Sequence, residues 1–166
     1  DADGGYTVRQ ALDVANALSR QIEMFEQPTP ASDLESLGQV SRLSPVPILA
    51  DQSANSLASA LKIAAGHHAH GLSVKLASCG GLRCARQIDA IARAAQIATM
   101  VSCLIEPAML IAAGLSLALS SPNVHYGDLD GHLHLFDDPS QPGFRLEDGW
   151  LIASDVPGLG YSVNLG

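Results

Sequence analysis

Four ionisable residues carry the first sign of chemistry: Asp1, Glu26, Asp51 and Lys75. They stand 25, 25 and 24 residues apart. Three carboxylates drawn together repel and raise one another's pKa, unless a cation stands between them. An all-oxygen ligand set suits Mg²⁺, which keeps positions for water or substrate. A lysine near that charge can serve as a base, because burial and neighbouring cations lower its pKa. The plain alternative is four unrelated strand-end charges in water. The even spacing speaks against it, since a fixed period of roughly 20–50 residues marks repeated structural units.

The elements that must position these charges are legible as alternating runs. "IEMFE" (22–26) reads as a strand and leads to "DLESLGQVSRL" (33–43), whose Leu34, Leu37, Val40 and Leu43 have helical spacing. "PILAD" (47–51) leads to a helical 55–67, "GLSVKLAS" (71–78) to 82–96, and "ATMVSCLI" (98–105) to 108–121. "VHYGDLD" (124–130) closes the series. Thr7 with Gln10 forms a capping box that opens a helix over 8–21, and Ser32 with Glu35 forms a second one. Such βα units with parallel strands build a doubly wound sheet or a (β/α)8 barrel. No GxGxxG follows an early strand, so the dinucleotide-binding version has no support. The expected fold class is therefore α/β, an incomplete (β/α)8 (TIM) barrel. A complete barrel needs about 250 residues. This chain opens on Asp1 and reads as strands four to eight, with at most the last residue of strand three. The barrel part is expected over 1–136 and a C-terminal tail over 137–166. In a barrel the strands' C-terminal ends form the active mouth, which is where the ionisable residues fall.

Composition narrows the class. Of 166 residues, 47% are hydrophobic and 16% charged, ample for a packed core. The net charge of −8 argues against nucleic acid or an anionic membrane as main partner. Met109 to Leu119 is apolar but too short to span a bilayer, so a buried helix is expected. Cys79, Cys84 and Cys103 fit neither a disulfide framework nor a zinc pattern. They read as structural thiols in a reducing, cytoplasmic setting.

Other residues qualify the site. Lys75 reads as mid-strand, with Ser73, Lys75 and Ala77 on one face and small neighbours leaving room for the long side chain. Asp128 and Asp130 share a face of the last strand and suit a substrate ammonium group; the alternative is an ordinary "DLDG" turn. His67, His68 and His70 read as solvated loop residues at the end away from the mouth. His132 and His134 alternate with Leu133 and Leu135, as on a wet strand face.

The ordered set "DADGGY", "FEQP", "LADQS", "VKLASCGG", "CLIEPAML" and "GDLDGHLHLFDDP" resembles the C-terminal barrel domain of the enolase superfamily, in its muconate lactonizing subgroup. The resemblance implies Mg²⁺ as cofactor, with Asp1, Glu26 and Asp51 as ligands and Lys75 as the acid/base on strand six. Cys103 and Glu106 would shape the pocket at strand seven. The "DLDG" acids resemble the pair that holds the substrate ammonium in dipeptide epimerases. An L-Ala-D/L-Glu-type dipeptide epimerase is therefore expected, a cytoplasmic isomerase with a small carboxylate substrate. A muconate cycloisomerase or o-succinylbenzoate synthase is the alternative. Two positions depart from the family pattern: Asp3 stands where Asn is usual, and Gln52 where Glu is usual. The second removes a charge beside the metal and is expected to alter how Lys75 is oriented. The family's Lys-x-Lys strand and its N-terminal capping domain have no counterpart here. A catalytically inactive truncated barrel, or an incomplete barrel that pairs with another chain, is therefore a further reading, and a homo-oligomer is among the expected partners.

Overall fold

The computed structural model describes residues 1–160 and 162–163. Five strands form one parallel sheet in sequential order: β1 (Phe25–Glu26), β2 (Ile48–Ala50), β3 (Gly71–Lys75), β4 (Ala98–Ser102) and β5 (Val124–Asp128). The sheet curls into half of a barrel. Helices follow the strands: α2 (Leu34–Leu43) after β1, α3 (Leu57–Gly66) after β2, α4 (Leu76–Cys79) and α5 (Leu82–Ala94) after β3, and α6 (Ala108–Ser120) after β4. α1 (Val8–Leu18) precedes β1. The expected βα order is thus the observed one.

Alternation along the strands decides what each face does. Ile48, Ala50, Leu72, Val74 and Val101 join the core beneath the helices. Ser73 and Lys75 face the inside of the curl, where the Ser73 and Ser102 hydroxyls bond each other at 2.6 Å. The helices bury their apolar stripes against the outer face: Ala11 and Ala15 from α1, Leu37 and Val40 from α2, Ala60 and Ile63 from α3, Ala85, Ile88 and Ala92 from α5. α6 is apolar almost all round and buries Ile111, Ala112, Ala113, Gly114, Leu115 and Leu117. It is the buried helix expected from Met109–Leu119.

The elements are shorter than the sequence reading at their ends. The Thr7–Gln10 capping box is present, but α1 stops at Leu18. α2 is capped by Asp33, which accepts from Ser36 N–H, rather than by Ser32 with Glu35. A carboxylate one residue nearer the helix outcompetes the serine. β3 ends at Lys75, and Leu76 already begins a helical turn. Lys75 is therefore a strand-end residue, and Ala77 does not share its face. β5 ends at Asp128, while Gly131–His134 forms a 3-10 turn with Asp130 as its cap. Asp128 and Asp130 are consequently not on one strand face, and His132 and His134 lie on a tight turn.

The histidines after α3 are not simply solvated. The His68 ring sits between Gly38 and Gly66, where added Cβ atoms would lie 2.6 Å and 2.2 Å from its nitrogens. His70 Nδ1 accepts from Ile48 N–H at 3.1 Å and lies 3.1 Å from Ser41 Oγ. Burial holds the His70 ring's pKa below its ordinary 6.5, and its bonds join α2 to β2. Cys79, Cys84 and Cys103 are all free thiols, with Cys79 and Cys103 buried. Among the described residues, no helix is long and apolar enough to cross a membrane.

After the 3-10 turn the chain forms two small antiparallel pairs. β6 (Ser140–Gln141) pairs with β9 (Ser162–Val163), and β7 (Phe144–Glu147) with β8 (Trp150–Ala153). Asp148 and Gly149 join β7 to β8 with φ of +50° and +84°, the two-residue turn whose twist suits a hairpin. Asp138 and Ser140 anchor this segment to the start of α6. Asp138 Oδ2 accepts from Ala108 N–H at 2.6 Å, and Ser140 Oγ from Met109 N–H at 3.1 Å. Both satisfy N–H groups that the helix itself cannot. Burial pushes the Asp138 carboxyl up, but bonds from Ser140 and Ala108 N–H outweigh it and hold the pKa below 3.8. A carboxylate so held stabilises the fold above its unfolded pKa, and that support fades as pH falls through the folded one. Asp138→Ala should cost about 1 kcal/mol at neutral pH, read by urea unfolding. The gap from wild type should close below about pH 4.

Candidate metal and acid/base site

The parallel register brings the strand ends level. Lys75 pairs with Ser102, and Ser102 with Asp128. Glu26 pairs with Leu49, two residues before Asp51. Asp1 lies beside β1, where Ala2 N–H donates to Glu26 O at 3.2 Å. One oxygen from each of Asp1, Glu26 and Asp51 lies within 4.8 Å of the other two. They line an open cavity of about 410 Å³ with Lys75, Asp3, Gln52, Cys103 and Asp128. The cluster that the 25-residue spacing predicts is assembled.

Lys75 is the counter-charge. Its Nζ is in contact with Asp51 Oδ1 and lies 3.8 Å from Glu26 Oε1, with only 14% of the side chain exposed. Burial pushes the Glu26 carboxyl above 4.5, and the Asp51 and Asp128 charges push the same way. A Ser73 hydrogen bond and the Lys75 ammonium pull against them. Asp128 is also raised, first by burial and then by Asp130. The site holds more carboxylates than its single ammonium balances.

Gln27, quoted in the "EQP" stretch but assigned no role from sequence, organises the loops. It is fully buried, with φ of +32°. Its Nε2 donates to Thr29 O and Ser53 Oγ, both at 2.9 Å. Its Oε1 accepts from Asp51 N–H at 2.9 Å and Ser53 N–H at 3.2 Å. The backbone carbonyl of Gln27 accepts from Gly4 N–H at 2.7 Å. One residue thus joins the loops that carry Asp1, Glu26 and Asp51. The only sequence signal was its place directly after Glu26.

Two expected pocket residues are placed otherwise. Glu106 is 5% exposed and does not line the cavity; its Oε2 accepts from Leu104 N–H at 3.3 Å. Burial pushes its carboxyl up. Asp130 lines a neighbouring cavity of about 440 Å³ that meets the first at Asp128. Cys103 does reach the mouth. Its sulfur accepts from Gly131 N–H at 3.3 Å and lies 4.0 Å from Asp130 Oδ1, so it braces the Asp130 turn. Gly131 allows this close approach, since an added Cβ would lie 1.8 Å from Leu104 O. Gln52 turns to Asp3, its Nε2 donating to Asp3 Oδ1, rather than towards Lys75.

The family model described as "Enolase C-terminal domain-like" matches residues 1–165. The chain belongs to this family. Muconate cycloisomerase 1 of Rhodococcus opacus is 37% identical to this enolase-family chain over 145 residues, covering 87% of the chain and 39% of the relative. L-Lys-D/L-Arg epimerase of Methylococcus capsulatus is 42% identical over 140 residues, covering 84% and 39%. A dipeptide epimerase from Enterococcus faecalis V583, solved with Mg and the dipeptide L-Leu-L-Tyr, superposes with a TM-score of 0.92. It is 33% identical, over 98% of this chain and 47% of that one. The enolase-family chain thus spans less than half the length of these proteins.

Removing the Gln27 amide would orphan two buried N–H groups. Gln27→Leu should therefore destabilise the protein by about 2–4 kcal/mol in urea unfolding.

Proposed function

We propose that this chain supplies the carboxylate metal site and one acid/base lysine of a Mg²⁺-dependent epimerase acting on dipeptides. The observation that carries this is the Lys75 ammonium lodged against Asp51 and Glu26 in an open cavity, where acids outnumber bases. The donor set fits the ion. Octahedral Mg²⁺ has its oxygens about 2.1 Å away, hence about 3–4 Å from one another, close to the spacing within 4.8 Å seen here. Asp1, Glu26 and Asp51 would hold it. When bound, it would supply positive charge against the negative charge that develops on a substrate carboxylate as its α-proton leaves.

The chain's own residues supply the rest. Glu26 and Asp51, which hold the Lys75 ammonium here, would hold it less tightly if engaged with a cation. A neutral Lys75 nitrogen would take the substrate α-proton and become the ammonium. The other lysine, Lys62, is exposed on α3 and does not line the cavity. The opposite face of the α-carbon therefore needs a base from outside the cavity residues described here. Asp128 stands level with Lys75 across Ser102 and would receive the substrate ammonium, with Asp130 behind it. The epimerase names among the relatives support this reading.

The cycloisomerase reading keeps its place because muconate cycloisomerase 1 is among the similar relatives. Its substrate carries no ammonium group, so Asp128 would have nothing to bind. Asp128→Asn should raise KM for a dipeptide at least tenfold under the epimerase reading and leave a muconate reaction unchanged.

The central test is Mg²⁺ titration calorimetry on the full-length protein. Wild type should bind, and Glu26→Gln should not. Lys75→Ala should keep Mg²⁺ binding but slow α-proton exchange in deuterated water by about 10²–10⁴-fold. A folded wild type without Mg²⁺ binding would overturn the proposal in favour of a non-catalytic barrel segment.

A further inference from the structure

Asp3 and Gln52 meet across the rim of the cavity, each beside a member of the carboxylate cluster. Asp3 follows Asp1 by two residues, and Gln52 follows Asp51 directly. Gln52 Nε2 donates to Asp3 Oδ1, a contact between segments 49 residues apart in sequence. Asp3 is engaged a second time, its own N–H donating to Asp1 Oδ1 at 3.1 Å. Its φ of +46° lies in the left-handed region, where Asp and Asn are favoured among non-glycine residues. Gln52 opens the 3-10 turn Gln52–Ala54, which is closed by Ala54 N–H donating to Asp51 O at 2.7 Å.

The three acids are not equally constrained. Glu26 is fixed by its strand, and Asp51 by the strand before it and by Gln27. Asp1 is exposed and lies outside any strand. Its carboxylate is oriented by the turn at Asp3, and that turn is tied to the Asp51 loop through Gln52. We propose that Asp3 and Gln52 form a clamp between the two loops that sets the spacing of Asp1 and Asp51, and thereby the affinity of the cluster for a divalent cation. They are positioning residues, and the inference rests on the metal reading given above.

The pair joins one carboxylate to one amide, the Gln52 N–H donating to Asp3. Glu at 52 facing Asp3 would set two carboxylates against each other beside a site already rich in acids.

A mutant cycle tests this on the full-length protein, with Mg²⁺ titration and with thermal unfolding in metal-free buffer. Gln52→Ala removes the clamp without changing charge. It should leave the protein folded and weaken Mg²⁺ binding about three- to tenfold, the size expected for one lost hydrogen bond. Gln52→Glu should lower the metal-free melting temperature. Adding Asp3→Asn to Gln52→Glu restores a carboxylate–amide pair in the opposite sense. That double variant should recover the melting temperature and bind Mg²⁺ within about twofold of wild type. Wild-type binding together with an indifferent Gln52→Ala would overturn the clamp alone, as would a double variant no more stable than Gln52→Glu. Wild-type protein that binds no Mg²⁺ would instead remove the metal reading, and the clamp's effect on affinity with it.

Discussion

The convergence of several carboxylates on one lysine is the constraint from which the rest of this structure follows. Asp1, Glu26, Asp51 and Asp128 line a single cavity with Lys75. Like charges at such separations are costly in a partly desolvated site. Lys75 relieves this by contact with Asp51 and proximity to Glu26. The relief is incomplete, because one ammonium cannot balance four acids. That imbalance is what the proposed cation would offset.

Holding such groups together takes rigid support. The support is the parallel sheet, whose register sets Lys75, Ser102 and Asp128 level. The apolar outer face of the sheet, buried under the helices, stabilises the assembly. The polar inner face contributes little apolar burial, so local hydrogen bonds position the acids instead. Gln27 is the clearest case: an amide with both ends bonded, joining loops that no strand pairing connects.

The same half-barrel serves relatives named for different substrates, among them a muconate cycloisomerase and several epimerases. Such breadth is expected when a fold provides a reusable cluster and the selective contacts lie around it. In the proposed reading, the residues that would select the substrate are Asp128 and Asp130, which line the two adjoining cavities. Cys103 ties the Asp130 turn to the end of β4, coupling it to the strand beside Lys75.

Much of this was legible in one dimension. The 25-residue spacing follows from the length of one strand, loop, helix and loop, so Asp1, Glu26, Asp51 and Lys75 revealed both the repeat and the cluster. The apolar alternation and the Thr7–Gln10 box located strands and helices, because these depend on neighbours close in sequence. What sequence could not determine depends on partners far apart in the chain. The ends of β3 and β5 fell short of the apolar runs, because ladder pairing stops where the neighbouring strand turns away. Asp130 thereby left the strand face it was expected to share with Asp128. The bonded His70, the packing of His68 on Gly38, the bonds of Gln27 to Asp51 and Ser53, and that of Gln52 to Asp3 all join residues more than twenty positions apart. A residue's type states what it can bond. Only the packing of distant segments decides which bond it makes, since a buried polar group must be satisfied by whatever the fold brings within reach.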